Sequence, residues 1–314
     1  MRAATISDGS VGIAEHPDPT PGAGELLVRV RAAGVNGADL HQRAGRYPAP
    51  PGSPPDIPGL EFAGEVLEVG AGAERFAVGD RVMAIVGGGG QAELALVHER
   101  VAMPVPDELE WEAAGALPEV FTTAHDALFT QAALGIGERV LIHGGAGGVG
   151  TAAVQLAAAA GARVSATVRT PELRAGVEAL GAEAVLDPED FKDAGPFDVV
   201  LELVGAPNLP ANLEALATSG RIVVIGVGAG AKADLNLLLL MAKRGTVRAS
   251  TLRARPLEEK AATARAMERA VLPLFESGAL TVPVAATYPL EQVADAYERF
   301  SAGSKLGKIV LTPS

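Results

Sequence analysis

Apolar positions change their period twice along this chain. Up to about residue 117 they form short runs that alternate with polar residues between Gly/Pro turns. Glu25–Arg31 (ELLVRVR) and Leu94–Val97 (LALV) are such runs. Gly64–Gly70 (GEVLEVG) alternates charged and apolar side chains, as a half-buried strand does. The proline-rich stretch 47–55 (YPAPPGSPP) cannot join a central strand and predicts an ordered loop. The region reads as an irregular β-barrel.

From about 118 to 255 the pattern becomes strand, helix, strand. Short apolar strands are predicted at 139–142, 163–168, 184–186, 197–203, 221–226 and 246–250, with helices at 171–180 and around 211–217. Thr170 followed by Pro171 marks a helix start, an N-cap with proline at the first helical position. Such alternation requires right-handed crossovers and a parallel sheet covered on both faces. Beyond 256 the pattern changes again, to a charged helix around 257–275 and a strand-like end, Lys308–Leu311, expected to return to the first domain. The predicted fold class is α/β. Residues 118–255 form a doubly wound nucleotide-binding domain, and 1–117 with 256–314 form the other domain.

The most informative stretch is Arg139–Gly150 (RVLIHGGAGGVG), continued by an alanine-rich segment to Gly161. Gly145, Gly147 and Gly150 satisfy G-x-G-x-x-G, with a strand before, a helix after and a second strand beyond. In that setting glycines let the backbone approach a pyrophosphate, whose charge meets the free N–H groups of the helix N-terminus. Gly145, Ala146, Gly147, Gly148, Val149 and Gly150 are therefore candidate cofactor contacts. A tightly packed turn without ligand would use the same glycines, but the flanking strands favour the dinucleotide.

Charge and composition narrow the function. No Asp, Glu, Lys or Arg lies between Arg139 and Arg163, yet six glycines and His143 argue against a membrane span. Met1 is followed by Asp8 without an apolar run, so no signal peptide is expected; the reading is a soluble, cytoplasmic protein. A net charge of −12 disfavours a nucleic-acid partner. The absence of cysteine excludes disulfides, thiolate nucleophiles and cysteine-ligated metals.

The end of the second strand should decide the cofactor. NAD-type folds place Asp or Glu there to bond the ribose 2′-hydroxyl. This chain has Val168, Arg169 and Thr170 instead. Arg169 could accommodate a 2′-phosphate, with the Thr170 hydroxyl beside it and Arg174 one turn on, which points to NADPH. A plain helix cap and two solvated arginines would also explain these residues.

At this point the chain resembles the zinc-free, zeta-crystallin-like quinone oxidoreductase branch of the medium-chain dehydrogenase/reductase superfamily. The resemblance rests on Gly34–Asp39 (GVNGAD), Gln42–Pro48 (QRAGRYP), Pro58–Gly64 (PGLEFAG), Val78–Val82 (VGDRV), Ala116–Pro118 (ALP), Thr122–Ala124 (TTA), His143–Gly150, Thr251–Arg255 (TLRAR) and Gly307–Val310 (GKIV). It spans essentially the whole length. It implies a GroES-like catalytic domain with a Rossmann domain, the cofactor in the cleft between them, and commonly a homodimer. It further implies that Asn36, Tyr47 and Thr123 lie near the nicotinamide, with Gly226, Val227 and Gly228 beneath it, and that Leu252, Arg253 and Lys308 belong to cofactor-contacting motifs.

The departures matter as much. Zinc-dependent relatives carry cysteine where this chain has Asn36 and histidine where it has Leu60, and their structural-zinc lobe has no counterpart. Catalytic zinc needs three ligands from His, Cys, Asp or Glu, and only Glu61 remains. The five histidines (16, 41, 98, 125 and 143) show no ligand spacing and are expected at the surface or in structural roles. Without a Lewis acid, the acceptor should already be electron-poor. NADPH-dependent reduction of a small quinone is the leading function. A 2-alkenal or enoyl reductase acting on an enone, and a non-catalytic NADPH-binding protein, are the alternatives. Asn36 and Tyr47 could donate hydrogen bonds to the acceptor oxygen. Tyr47 could equally be a loop tyrosine packed on the neighbouring prolines. Asp39 and Arg43, four apart, predict a salt bridge on a helix. Finally, Asp234–Met241 (DLNLLLLM) is more apolar than one helix face needs, and with the strand after it predicts a two-fold dimer edge.

Overall fold

The computed structural model describes residues 1–313. The chain divides into two compact units. One holds Met1–Thr122, Leu252–Gly303 and the C-terminal stretch from Lys308; the other holds Thr123–Thr251 with Ser304–Gly307. The breaks at 122 and 251 stand a few residues from the 117 and 255 at which the pattern changes. The brief membership of Ser304–Gly307 in the second unit has no counterpart in the sequence pattern.

The first unit is built on strands Arg2–Ser7 (β1), Ser10–Glu15 (β2), Glu25–Val35 (β3), Glu61–Val69 (β4), Arg81–Ile85 (β5), Leu94–His98 (β6) and Met103–Pro104 (β7). β1 and β2 form a hairpin. In β3 the alternation does what the pattern predicts: Val28 and Val30 are buried and Arg29 between them is exposed. β3 pairs with both β4 and β6, and Leu26, Val28, Phe62, Val66, Val82 and Val97 fill the core between them.

The second unit contains Arg139–Ile142 (β8), Arg163–Thr167 (β9), Ala184–Leu186 (β10), Phe197–Glu202 (β11), Leu216–Val224 (β12) and Thr246–Ala249 (β13). They form one parallel sheet in the order β10-β9-β8-β11-β12-β13. The chain starts in the middle, works outward on one side, then returns to fill the other. This is the Rossmann arrangement, and its order reverses between β8 and β11, where ligands of such sheets bind at the carboxyl ends of the strands. Leu141, Phe197, Val200, Leu213, Leu216 and Ile222 pack one face.

The last strands, Val284–Pro289 (β14) and Lys308–Thr312 (β15), extend the sheet of the first unit. β15 runs antiparallel to β3 and parallel to β14. Helix Val293–Ser301 covers this end with Val293, Ala296 and Tyr297.

Several elements differ from the pattern. The charged helix at 257–275 is two helices, Leu257–Ala270 and Leu272–Glu276, because Pro273 lacks an N–H and disfavours helical geometry before it. The helix at 171–180 opens as a 3₁₀ turn, Pro171–Leu173, before Arg174–Ala179. The helix around 211–217 runs Leu209–Ala215, and β12 begins immediately after it. Among the described residues no helix is long and apolar enough to cross a membrane.

Candidate active site

In the nucleotide unit, β8 ends at Ile142 and helix Gly148–Ala159 begins six residues later with Gly147 as its N-cap. The turn itself is made at Gly144, with φ of 65°. A β-carbon on Gly150 would collide with the Gly144 carbonyl, and one on Gly145 would lie 2.8 Å from the Ala166 β-carbon. The glycines thus bring helix and strand close enough for the first-turn N–H groups, from Gly148, Val149 and Gly150, to face the carboxyl end of the sheet. Gly226, Val227 and Gly228 follow β12 at that same end. The Gly226 N–H donates to the Glu202 carbonyl at 3.1 Å, drawing this loop across the end of β11. Thr123 is buried in helix Pro118–His125.

A buried polar chain supports the glycine turn. Glu202 Oε2 accepts from Asn212 Nδ2 at 2.7 Å, so Asn212 Oδ1 is the acceptor for His143 Nε2 at 2.8 Å. His143 Nδ1 is then an acceptor, facing the Thr167 hydroxyl at 3.1 Å, and Thr167 Oγ1 in turn accepts the Gly144 N–H at 3.2 Å. Burial pushes the His143 pKa down, against the opposing pull of Glu202. His143 is neutral and structural, with the proton on Nε2 assigned by its partners. The other Glu202 oxygen accepts from the N–H groups of Val204 and Gly205. Glu202 was not singled out in the sequence; an acid at the end of a buried parallel strand, which must find partners, was the available signal.

At the end of β9 the three expected residues separate. Arg169 is exposed and makes no hydrogen bond or ion pair among the described residues. Arg174 turns away: its Nη2 bonds Asp187 Oδ2 at 2.9 Å and its Nε the Val168 carbonyl at 3.3 Å. Thr170 occupies the N-cap position but makes no side-chain cap; its hydroxyl lies 3.4 Å from Ser304 Oγ.

The first unit holds a buried charged cluster around Asn36. The Lys308 ammonium donates to Asn36 Oδ1 at 2.5 Å and the Val35 carbonyl at 2.9 Å, and lies 2.7 Å from Glu61 Oε1. Asn36 Nδ2 donates to the same Glu61 oxygen at 2.9 Å, while Glu61 Oε2 accepts the Glu119 N–H at 2.7 Å. Gly34 leaves the room for this, since a β-carbon there would run into the Glu61 carboxyl. Lys308, which the resemblance put at the cofactor, has all three of its protons directed inside this unit.

Asp39 also differs from expectation. It is fully buried and accepts from the N–H groups of Asn36 and Gly59 and from Gln91 Nε2, and forms no salt bridge with Arg43. Burial raises its pKa to about 6, opposed by the Asn36 and Gly59 N–H groups and by the charges of Lys308 and Arg253. Arg43 instead sits over the Tyr297 ring, 5.5 Å from its centroid. The helical spacing of the two residues was correct, but burial of one of them decided the partner.

Arg253 is likewise turned inward. It donates to the Gly87 carbonyl at 2.8 Å, the Tyr47 carbonyl at 2.9 Å and Gln42 Oε1 at 2.5 Å, and its guanidinium lies 4.9 Å from the Tyr47 ring centroid. It fixes the proline-rich loop and holds Tyr47 against it. Leu252 lines a small cavity with Ile85, Met103, Thr122 and Lys260.

Zinc does not suit the donor set. Asn36 and Leu60 offer no ligand pair, Glu61 is occupied by an ammonium that would repel a cation, and no group of three or more metal-binding side chains occurs among the described residues.

Comparison with known proteins agrees with this fold. Residues 22–107 match the alcohol dehydrogenase GroES-like domain family, and 180–311 match the zinc-binding dehydrogenase family. The quinone oxidoreductase of Lama guanicoe is 34% identical over 304 residues, covering 93% of this chain and 90% of that protein. Among solved structures, the quinone oxidoreductase of Pseudomonas syringae shows 30% identity and a TM-score of 0.86, covering 99% of each chain. A thermostable alcohol dehydrogenase from Pyrobaculum aerophilum shows 31% identity and a TM-score of 0.86, covering 100% of this chain and 99% of that one. With both halves of the fold and nearly the whole length matched, this chain belongs to the medium-chain dehydrogenase/reductase superfamily and is an oxidoreductase of that type, with quinone oxidoreductases among its relatives.

Proposed function

We propose that this protein reduces small quinones with NADPH, without a metal, as a homodimer. The observation that carries the reading is the Lys308–Glu61–Asn36 cluster, which places an ammonium among residues where zinc-dependent relatives are expected to bind metal. A protein without a Lewis acid needs an acceptor that accepts electrons readily, and quinones are such acceptors. The names of its relatives point the same way.

The glycine turn and the N-terminus of helix Gly148–Ala159 supply the pyrophosphate site. Arg169, exposed and without a partner among the described residues at an acid-free strand end, favours a 2′-phosphate and therefore NADPH. NADPH, when bound, supplies the electrons. The remaining work is positioning and polarisation. Lys308 and Glu61 hold the Asn36 amide in one orientation, and the ammonium on Oδ1 increases the donor strength of the amide N–H. Tyr47, steadied by Arg253, offers a neutral hydroxyl to the acceptor oxygen.

The dimer reading rests on β13, which among the described residues pairs with β12 alone, and on the helix before it. In Leu237–Lys243, Leu239 and Leu240 pack on the core while Leu237, Leu238 and Met241 are 62%, 78% and 71% exposed. A second copy would cover these side chains and pair the open edge.

An acceptor screen tests the reading. NADPH oxidation with 1,4-benzoquinone is expected, and Tyr47→Phe should lower kcat/KM about tenfold, the loss of one hydrogen bond. Turnover of enones without turnover of quinones would replace the reading with an alkene reductase. Tight NADPH binding with no turnover of either would make it a binding protein.

A further inference from the structure

We propose that Lys260 and Thr122 form a covalent capture site for small aliphatic aldehydes, with the lysine as the nucleophile. The inference is independent of the quinone reading, since neither residue takes part in the proposed cofactor or acceptor contacts.

Both side chains line the cavity that Leu252 also bounds, and all of its lining residues belong to the first unit. Val101, Met103 and Ala264 are buried in its walls, whereas Ile85, Leu252 and Lys260 are half-buried and lie toward solvent. The volume is about 20 Å³, little more than a water molecule needs. An occupant is therefore limited to a few heavy atoms, and the aliphatic walls suit a short hydrocarbon chain.

Two polar groups interrupt these walls, and neither is satisfied among the described residues. The Thr122 hydroxyl is buried and has no hydrogen-bond partner there. A buried hydroxyl left in this state costs stability, which a bound acceptor or donor would recover. The Lys260 ammonium likewise makes no hydrogen bond or ion pair among the described residues. The neighbouring acids on its own helix are engaged elsewhere: Glu258 pairs with Arg100, and Glu259 faces Arg255. Glu119, on the helix that carries Thr122, acts on Arg253. The barrel contributes Ile85, Val101 and Met103, which carry no charge. The charge that does act on Lys260 is that of Arg253, of like sign. Burial pushes the Lys260 pKa down, and Arg253 adds to the effect.

A lysine that is desolvated and set near another cation gives up its proton readily and becomes a nucleophile. Its free amine would attack the carbonyl carbon of an aldehyde, forming a C–N bond while the π electrons move to oxygen. One proton passes from nitrogen to that oxygen, and the Thr122 hydroxyl is the donor that steadies the charge building there. Loss of the oxygen as water, with the second nitrogen proton, leaves an imine. The step involves no oxidant or reductant.

Reductive trapping on the full chain tests this. Propanal with sodium cyanoborohydride at about pH 7.5 converts an imine into propyl-lysine, which peptide mass spectrometry locates. Lys232, exposed and likewise without a partner among the described residues, is the internal standard. Lys260 is expected to be propylated at least about fivefold faster than Lys232. With trimethylacetaldehyde, too broad for the cavity, that advantage should disappear. Thr122→Val, which keeps the shape without the hydroxyl, should lower the propanal ratio about threefold. A Lys260 that reacts no faster than Lys232 overturns the proposal. So does an advantage that persists undiminished with trimethylacetaldehyde or in Thr122→Val, because the amine would then act without the cavity or its hydroxyl.

Discussion

Lys308 Nζ and Glu61 Oε1 lie 2.7 Å apart with both side chains almost wholly withdrawn from water. One residue begins β15 and the other begins β4, so the pair ties two strands that flank β3. A buried pair of this kind is weak evidence for net stabilisation, but breaking it strands a charge. Lys308→Met is expected to destabilise the protein by about 3–5 kcal/mol. Adding Glu61→Gln should recover much of that loss, because no buried charge remains. Urea denaturation checks both, and a loss below about 1 kcal/mol in the single variant would show the pair to be solvated.

Arginines 169 and 174 should behave oppositely. Arg169→Ala is expected to weaken NADPH about ten- to a hundredfold and leave NADH nearly unchanged, since one charge-assisted contact is lost. Arg174→Ala should change the ratio little, because its guanidinium is paired with Asp187. Fluorescence titration of the two cofactors reads this directly. An unchanged ratio in Arg169→Ala, or a large change in Arg174→Ala, contradicts the assignment.

His143 predicts an acid-sensitive fold. In the unfolded chain it takes a proton below its ordinary value of 6.5, whereas burial keeps it neutral to lower pH in the folded state. The unfolded state then binds more protons, so stability falls as pH falls through that window. Asp39, raised by burial to about 6, acts in the opposite sense and is common to the wild type and a His143 variant. From about pH 7.5 to about 5.5 the wild-type Tm should therefore drop further than that of His143→Gln. Equal drops would remove His143 as the cause.

Much of this was legible because two signals repeat along the chain. The Rossmann strands announce themselves as β-branched runs between helices, and the glycine turn is fixed by spacing. The first strands of the other unit alternate as half-buried strands should. What was not legible is where long side chains end. Arg169, Arg174 and Arg253 look alike in sequence, yet among the described residues one has no partner, one is paired with Asp187 and one is buried. Asp39 and Arg43 have the spacing of a helical pair, but Asp39 points into the core, where backbone N–H groups satisfy it. Lys308 was expected at the cofactor because of its motif; only the register of β15 on β3 shows that it reaches Glu61. Ser304–Gly307 is too short to leave a periodic trace.

The open edge makes a prediction about assembly. Light scattering at micromolar concentration should show a dimer, and Leu238→Glu, which places a charge on the most exposed of the three apolar side chains, should shift it toward monomer. A wild-type monomer under these conditions contradicts the proposed interface.

The most direct test of metal-free, NADPH-dependent quinone reduction is steady-state oxidation of NADPH by 1,4-benzoquinone after exhaustive dialysis against EDTA. The rate should match that of undialysed protein, with no stoichiometric zinc in the sample and no gain on adding it. Activity that disappears on chelation and returns with zinc would contradict the reading of the Lys308–Glu61–Asn36 cluster and the function built on it.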